Sequence, residues 1–288
     1  MATILVTGSD GQLGMELRRL ATSYAGYEFI FTDVSSLDIT NQEEVTGFIQ
    51  EKAPDWIINC AAYTAVDKAE DESSAAFAVN SLGVRNLVSA IKSTRCRFLH
   101  ISTDYVFDGS HNIPYSETDE PSPVTEYGKS KLAGEREALL HPETLIIRTS
   151  WLYSVYGANF IKTILRLLSE GKNPLVVFDQ TGSPTWAEGL ASAIMSIIAG
   201  VIRNKTPFVP GIYNYSDEGV CSWYDVAVVI ADTAGESGRI SPCLSDRYPQ
   251  KAKRPSYSVL NKQKIKETYN ISIPHWRDNL VNCLKQLI

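Results

Sequence analysis

Gly8, Gly11 and Gly14 follow directly on a short apolar run at residues 3–7 and open a stretch, 12–24, in which Leu13, Leu17 and Leu20 recur at helical spacing. A strand that runs into a glycine turn and then a helix is a demanding combination. Glycines let the backbone turn tightly and approach a pyrophosphate, and the helix N-terminus offers free N–H groups to the anion. In open α/β sheets such a loop lies at the carboxyl edge of the strands, where ligands bind. The rest of the chain is therefore expected to build a parallel sheet around this first strand.

The pattern that follows agrees. Strands are expected at 28–32, 56–60, 97–102 and 144–148, alternating with helices at 41–52, 67–92 (mostly helical) and 127–140. Thr40 or Asn41 would cap the helix at 41–52, and Glu43 and Glu44 suit its first turn. Strands alternating with helices imply a parallel sheet covered on both faces. The fold class is α/β, a doubly wound parallel sheet of Rossmann type. A nucleotide-binding domain is expected over 1–150, with 151–288 mainly a smaller substrate-binding lobe. Strands at 175–178 and 212–215 are expected to rejoin the sheet, and helices are expected at 158–170, 186–202, 222–234 and 276–288.

Asp33 ends the second strand about 20 residues past the glycine loop, where a carboxylate meets an adenosine ribose. No arginine stands beside it in sequence to pair with a 2′-phosphate, which favours NAD, although NAD against NADP stays open. Asp38 and Ile39 lie further along the same loop and could flank the adenine.

A reaction centre is expected from three residues. Tyr127 and Lys131 are four apart, so one helix face presents both. An ammonium beside a tyrosine lowers the phenol's pKa from about 10 and makes it a proton donor to a carbonyl oxygen. Thr103 leaves the fourth strand at its carboxyl end and would bring a hydroxyl to the same oxygen. Together they read as a carbonyl-reducing site above a nicotinamide, with Tyr127 giving the proton and Lys131 also able to hold the nicotinamide ribose.

Composition removes other classes. The net charge of −6 comes with no basic stripe, which argues against nucleic acid. The N-terminus lacks a basic n-region, and the apolar stretch 190–202 is too short to span a bilayer. Five cysteines, Cys60, Cys96, Cys221, Cys243 and Cys283, form no C-x-x-C pair and read as buried thiols of a reducing cytoplasm.

Longer motifs sharpen the picture. They are the glycine loop 8–14, the run Asn59-Cys60-Ala61-Ala62-Tyr63-Thr64-Ala65-Val66-Asp67-Lys68-Ala69-Glu70, residues 102–109, 127–135 and 148–153, Asn159-Phe160, 179–185, and Arg254-Pro255. On these the chain resembles the extended short-chain dehydrogenase/reductases that act on sugar nucleotides, and within them the dTDP-4-dehydrorhamnose reductase family. The resemblance implies reduction of a 4-keto-deoxysugar nucleotide with NADPH or NADH. It implies Thr103, Tyr127 and Lys131 as the catalytic set. It places the cofactor against Gly11, Gln12 and Leu13, Asp38 and Ile39, Ala61, Ala62 and Tyr63, and Lys131. It puts Val66, Asp104, Trp151 and Arg254 around the sugar nucleotide. An indole at Trp151 could pack on a deoxysugar face, and Arg254 could fork onto a diphosphate. Capping alone accounts for Asn159.

Some members of that family hold a divalent cation at a dimer interface through carboxylates. Glu16 and Glu188 match those positions, Gly189 stands where a second carboxylate is expected, and solvated surface glutamates are the default; no metal is expected. Two alternatives stay open: an epimerase or dehydratase of the same superfamily, which Tyr105 in place of a glutamate disfavours for the dehydratase, and a cofactor-binding regulatory subunit, similar to the β subunit of methionine adenosyltransferase. A homodimer also stays open.

Overall fold

The computed structural model describes residues 1–248 and 250–288. The first half runs β1 (Ala2–Thr7), α1 (Gln12–Ala21), β2 (Tyr27–Thr32), α2 (Gln42–Lys52), β3 (Trp56–Asn59), α3 (Val66–Ala69), α4 (Ser73–Phe77), a π-helical turn (Ala78–Leu82), α5 (Gly83–Ile91), β4 (Arg97–Thr103), α6 (Glu126–Ala138) and β5 (Thr144–Thr149). The second half runs β6 (Leu152–Tyr153), α7 (Phe160–Ser169), β7 (Leu175–Val177), β8 (Thr181–Gly182), β9 (Thr185–Trp186), α8 (Ala187–Ile202), β10 (Gly211–Asn214), β11 (Cys221–Ser222), α9 (Trp223–Thr233), β12 (Ser241–Cys243), α10 (Gln263–Tyr269) and α11 (Trp276–Leu284).

Six strands form the central sheet in the order β10-β5-β4-β3-β1-β2, and every pairing in it is parallel. Side chains alternate across a strand, so each strand feeds two cores. Ile4, Val6, Trp56, Ile58, Leu99, Leu145 and Ile147 face α1 and α8. Their neighbours Leu5, Ile57, Phe98 and Ile146 face α2, α5 and α6. Apolar runs with no polar alternation are what such a two-sided sheet requires. Asn41 caps α2, its side chain accepting from the Glu44 N–H at 3.3 Å. Thr125 caps α6 in the same way, accepting from the Gly128 N–H at 3.0 Å.

Two expectations are corrected. The segment at 175–178 does not rejoin the central sheet: β7 pairs in parallel with β12 in a separate two-stranded sheet. The edge beside β5 is already taken by β10, with Gly211 opposite Leu145 and Asn214 opposite Arg148. Second, the chain does not divide cleanly after residue 150. The all-round apolar α8 packs through Leu190, Ile194 and Ile198 with Leu13 and Leu17 of α1, and the unanticipated α10 adds Ile265 and Tyr269 to that core. Without them one face of the sheet would lie open to water. The stretch 67–92 is mostly helical as expected: α3 ends before residue 70, and α4, the π-turn with its inward-facing Asn80, and α5 run on without a break.

What remains of the second half forms its own core. Tyr153, Ile161, Ile164, Val176, Trp186, Ile230 and Leu280 bring β6, α7, β7, β9, α9 and α11 together beyond the carboxyl edge of the sheet. Among the described residues no helix is long and apolar enough to cross a membrane.

Candidate active site

β1 lies between β2 and β3, so the connections leaving β1 and β3 diverge and open a crevice at the carboxyl edge. The glycine loop crosses it at very close range. Gly8 has φ +63°, and a Cβ there would stand 2.5 Å from the Ala61 nitrogen; on Gly14 it would stand 2.5 Å from the Ser9 Cα. Only glycine lets these backbones meet. Gly11 starts α1 with no side-chain cap, leaving the helix end to an external acceptor. The residues present therefore fit the pyrophosphate of a dinucleotide.

A cleft of ≈ 910 Å³ runs from this loop to the second core. It is lined by Gly8, Gly11, Gln12, Leu13, Gly14, Asp33, Asp38, Ile39, Ala61, Ala62, Tyr63, Val66, Thr103, Asp104, Tyr127, Lys131 and Trp151. Of the expected site residues, Arg254 alone does not line it; its guanidinium is held by Asp67 at 2.7 Å and the Tyr105 hydroxyl at 3.0 Å.

At the glycine-loop end, Asp33 pins the loop to β2, accepting from the N–H of Asp10 at 3.0 Å and of Val34 at 2.8 Å. Asp38 turns back to accept from the Thr40 N–H and hydroxyl at 2.9 and 2.8 Å. No arginine adjoins Asp33 along the chain, but one approaches the glycine loop in space. Arg18 reaches over from α1, lies 4.7 Å from the Phe31 ring centroid and pairs with Asp10 at 3.2 Å. Spacing along the chain concealed it because α1 and β2 meet only after the loop has turned.

At the other end, β4 delivers Thr103 and α6 delivers Tyr127 and Lys131. The Lys131 ammonium donates to the Ile101 carbonyl at 2.6 Å, and burial brings its pKa down to about 8. Tyr127 departs from expectation. Burial pushes its phenol well above the usual tyrosine range, the Thr103 side chain pulls it back by hydrogen bonding, and Lys131 is not among the groups acting on it. Desolvation of the phenol therefore outweighs the neighbouring groups. Thr103 donates to Asp104 at 3.0 Å. The buried Asp104 carboxyl is raised to about 6 by desolvation, against which hydrogen bonding from the Ser258 and Thr103 side chains pulls it back.

The face of α6 is held in register by contacts the sequence reading missed. One turn beyond Lys131, Glu135 accepts from the Ser102 hydroxyl at 2.5 Å and from Arg148 at 2.9 and 2.7 Å. Asn80, fully buried in the π-turn, accepts from the Tyr63 N–H at 2.9 Å and donates to the Tyr63 carbonyl at 3.0 Å and Ser130 at 2.9 Å. One amide thus joins the cofactor-side loop to α6, and π-turns recur at functional sites for this kind of local redirection. Glu70 accepts from the Glu126 N–H at 3.0 Å and caps α6 from outside.

Toward the second core, Trp151 adopts φ +49°, an unfavourable conformation for an aromatic residue. Its indole stacks on Trp223 at 3.8 Å, and Phe160 tilts against Trp223 at 4.6 Å. Tyr105 and Pro184, from the motifs at 102–109 and 179–185, also line the cleft, as does Trp223, which nothing in its local sequence marked. Asn159 caps α7 as expected and also donates to Gln12 at 2.9 Å, tying the second core to the glycine loop. Cys60 lines the cleft and is only partly buried, unlike the other four free thiols.

Glu16 and Glu188 are not solvated surface acids. Glu16 is 1% exposed and accepts from Ser154 at 2.6 Å. Arg19 bridges the pair, 3.2 Å from Glu16 and 2.8 Å from Glu188. A single guanidinium already occupies the space between the two carboxylates and would repel a cation there, and Gly189 supplies no further ligand, so these residues do not fit a divalent cation. Among the described residues no three His, Cys, Asp or Glu side chains group as metal ligands.

This architecture has close counterparts. The family described as RmlD substrate binding domain matches residues 1–288. A dTDP-4-dehydrorhamnose reductase from Aggregatibacter actinomycetemcomitans is 42% identical over 98% of each chain. The solved dTDP-4-dehydrorhamnose reductase of Clostridium acetobutylicum superposes with a TM-score of 0.91 at 39% identity, covering 99% of both chains. That of Bacillus anthracis, in complex with NADP, gives 0.93 at 36% identity, covering 99% of this chain and 100% of the other. Matched from end to end in sequence and in fold, the chain belongs to the RmlD substrate binding domain family, among relatives named dTDP-4-dehydrorhamnose reductase.

Proposed function

We propose that the protein reduces the 4-keto group of dTDP-4-dehydro-L-rhamnose to give dTDP-L-rhamnose, using NADPH or NADH. The observation that carries this reading is the single cleft in which the glycine loop, Thr103, Tyr127 and Lys131 meet. The names of the relatives supply the ketone. Residues 1–150, completed by α8, β10 and α10, hold the cofactor, and the second core with Trp151 holds the sugar nucleotide. The free thiols suit a reducing cytoplasm.

Gly8, Gly11 and Gly14 admit the pyrophosphate; Gln12 and Leu13 begin the helix that faces it. Asp33 serves the adenosine ribose, Asp38 and Ile39 flank the adenine, and Ala61, Ala62 and Tyr63 wall the opposite side. Bound reduced nicotinamide supplies the hydride to the keto carbon. The oxygen takes its proton from Tyr127, whose raised pKa keeps it protonated throughout the neutral range. Thr103 hydrogen-bonds the same oxygen. The Lys131 ammonium, anchored on the Ile101 carbonyl, holds the nicotinamide ribose. Val66 and Asp104 border the sugar.

The test is NADPH and NADH oxidation by purified protein with a panel of sugar nucleotides. Oxidation is expected with the 4-keto-6-deoxysugar nucleotide and not with dTDP-glucose or UDP-glucose. Conversion of either glucose nucleotide without net cofactor oxidation would instead mark an epimerase or dehydratase.

A pH dependence follows from Lys131. Its ammonium is the form that donates hydrogen bonds to the nicotinamide ribose, and that form is present below about pH 8 and lost above it. The kcat/KM for the keto sugar is expected to be level near neutrality and to fall about tenfold per pH unit well above 8. A profile that stays level to pH 9.5 would remove Lys131's charge from the mechanism.

A further inference from the structure

Tyr105 touches every part of the reaction end. It sits in the single 3₁₀ turn after β4, between Thr103 and the loop leading to α6. Its N–H donates to the Thr103 hydroxyl at 3.2 Å. Its carbonyl packs so closely on the start of α6 that a Cβ on Gly128 would collide with it. Its ring meets Tyr127 edge-on, with centroids 5.5 Å apart at 74°. Its hydroxyl accepts from Arg254 at 3.0 Å, and Arg254 is anchored in turn by Asp67 at 2.7 Å. Asp67 also accepts from the Ala252 N–H at 3.0 Å, so the loop around Arg254 is fastened to α3.

We propose that Tyr105 is a positioning residue that sets the Tyr127 ring with its own ring and holds Arg254 toward the diphosphate of the substrate with its hydroxyl. The proposal rests on the reductase reading. Edge-to-face packing fixes ring orientation, and a phenol confined by a neighbour's ring samples fewer poses in which its proton misses the carbonyl. Arg254 lies outside the cleft lining, and the Tyr105 hydroxyl together with Asp67 fixes where its guanidinium starts. The two ends of one side chain thus serve different kinetic constants.

The experiment separates them. Tyr105→Phe keeps the ring and removes the acceptor for Arg254; KM for the keto sugar nucleotide and Kd for dTDP are expected to rise about fivefold to tenfold, with kcat within twofold. Tyr105→Leu removes the ring and is expected to lower kcat at least tenfold as well, with NADPH binding by fluorescence titration unchanged. Should the leucine variant not fold, Tyr105→Met carries the same comparison. Arg254→Gln with Tyr105→Phe is expected to bind dTDP no more weakly than Arg254→Gln alone, because the two groups act as one unit. Unchanged dTDP affinity in Tyr105→Phe, additive losses in the double variant, or unchanged kcat without the ring would each overturn the proposal. Wild-type protein that binds dTDP but turns over no keto sugar would instead overturn the reductase reading, and the dTDP comparisons would still stand.

Discussion

Replacing Tyr127 by phenylalanine is expected to lower kcat by about 10²–10⁴-fold, the range a positioned general acid contributes. The phenol is buried beside Thr103 in the cleft, and removing one oxygen leaves its ring packing on Tyr105 intact. Cofactor affinity is expected to stay within a few-fold, because the glycine loop and Asp33 lie at the other end of the cleft. Single-turnover NADPH oxidation together with fluorescence titration separates the two quantities. A variant that retains most of its turnover would mean that another group, or water, delivers the proton.

The second large effect is on stability. Arg148 on β5 and Glu135 on α6 are each 2% exposed and bonded at 2.7 Å. Arg148→Met would strand the Glu135 carboxylate in the interior, and removing one partner of a buried pair costs about 3–5 kcal/mol. The denaturation midpoint in urea should fall accordingly. Arg148→Met combined with Glu135→Met should recover much of that loss, since replacing a whole buried pair with apolar side chains is often close to neutral. A loss below about 1 kcal/mol in the single variant would show that water reaches the carboxylate.

The stretches readable before folding were those in which local spacing and local chemistry coincide. The glycine triplet, the Asn41 cap, the five strands of the first half and the i, i+4 pair on α6 all fall there. The second half was harder because its segments divide between two cores. α8 is apolar on nearly every face, which a helix between two layers requires, yet periodicity does not say which layers. β7 is as apolar as a central strand and still pairs only with β12. Asn80 has no distinguishing neighbour; its importance lies in reaching Tyr63 and Ser130, far from it along the chain.

Order along the chain was sufficient to establish a dinucleotide loop at the edge of a parallel sheet, a Tyr127–Lys131 face and a hydroxyl at Thr103, because backbone freedom, helical pitch and strand ends are local properties. Folding decided which charges act. Burial raised Tyr127 and lowered Lys131, Arg18 arrived at the glycine loop, Arg19 took the place between Glu16 and Glu188, and Arg254 was committed to Asp67 and Tyr105. Desolvation and ion pairing depend on which atoms surround a group in space, and the packing of distant segments alone supplies those atoms.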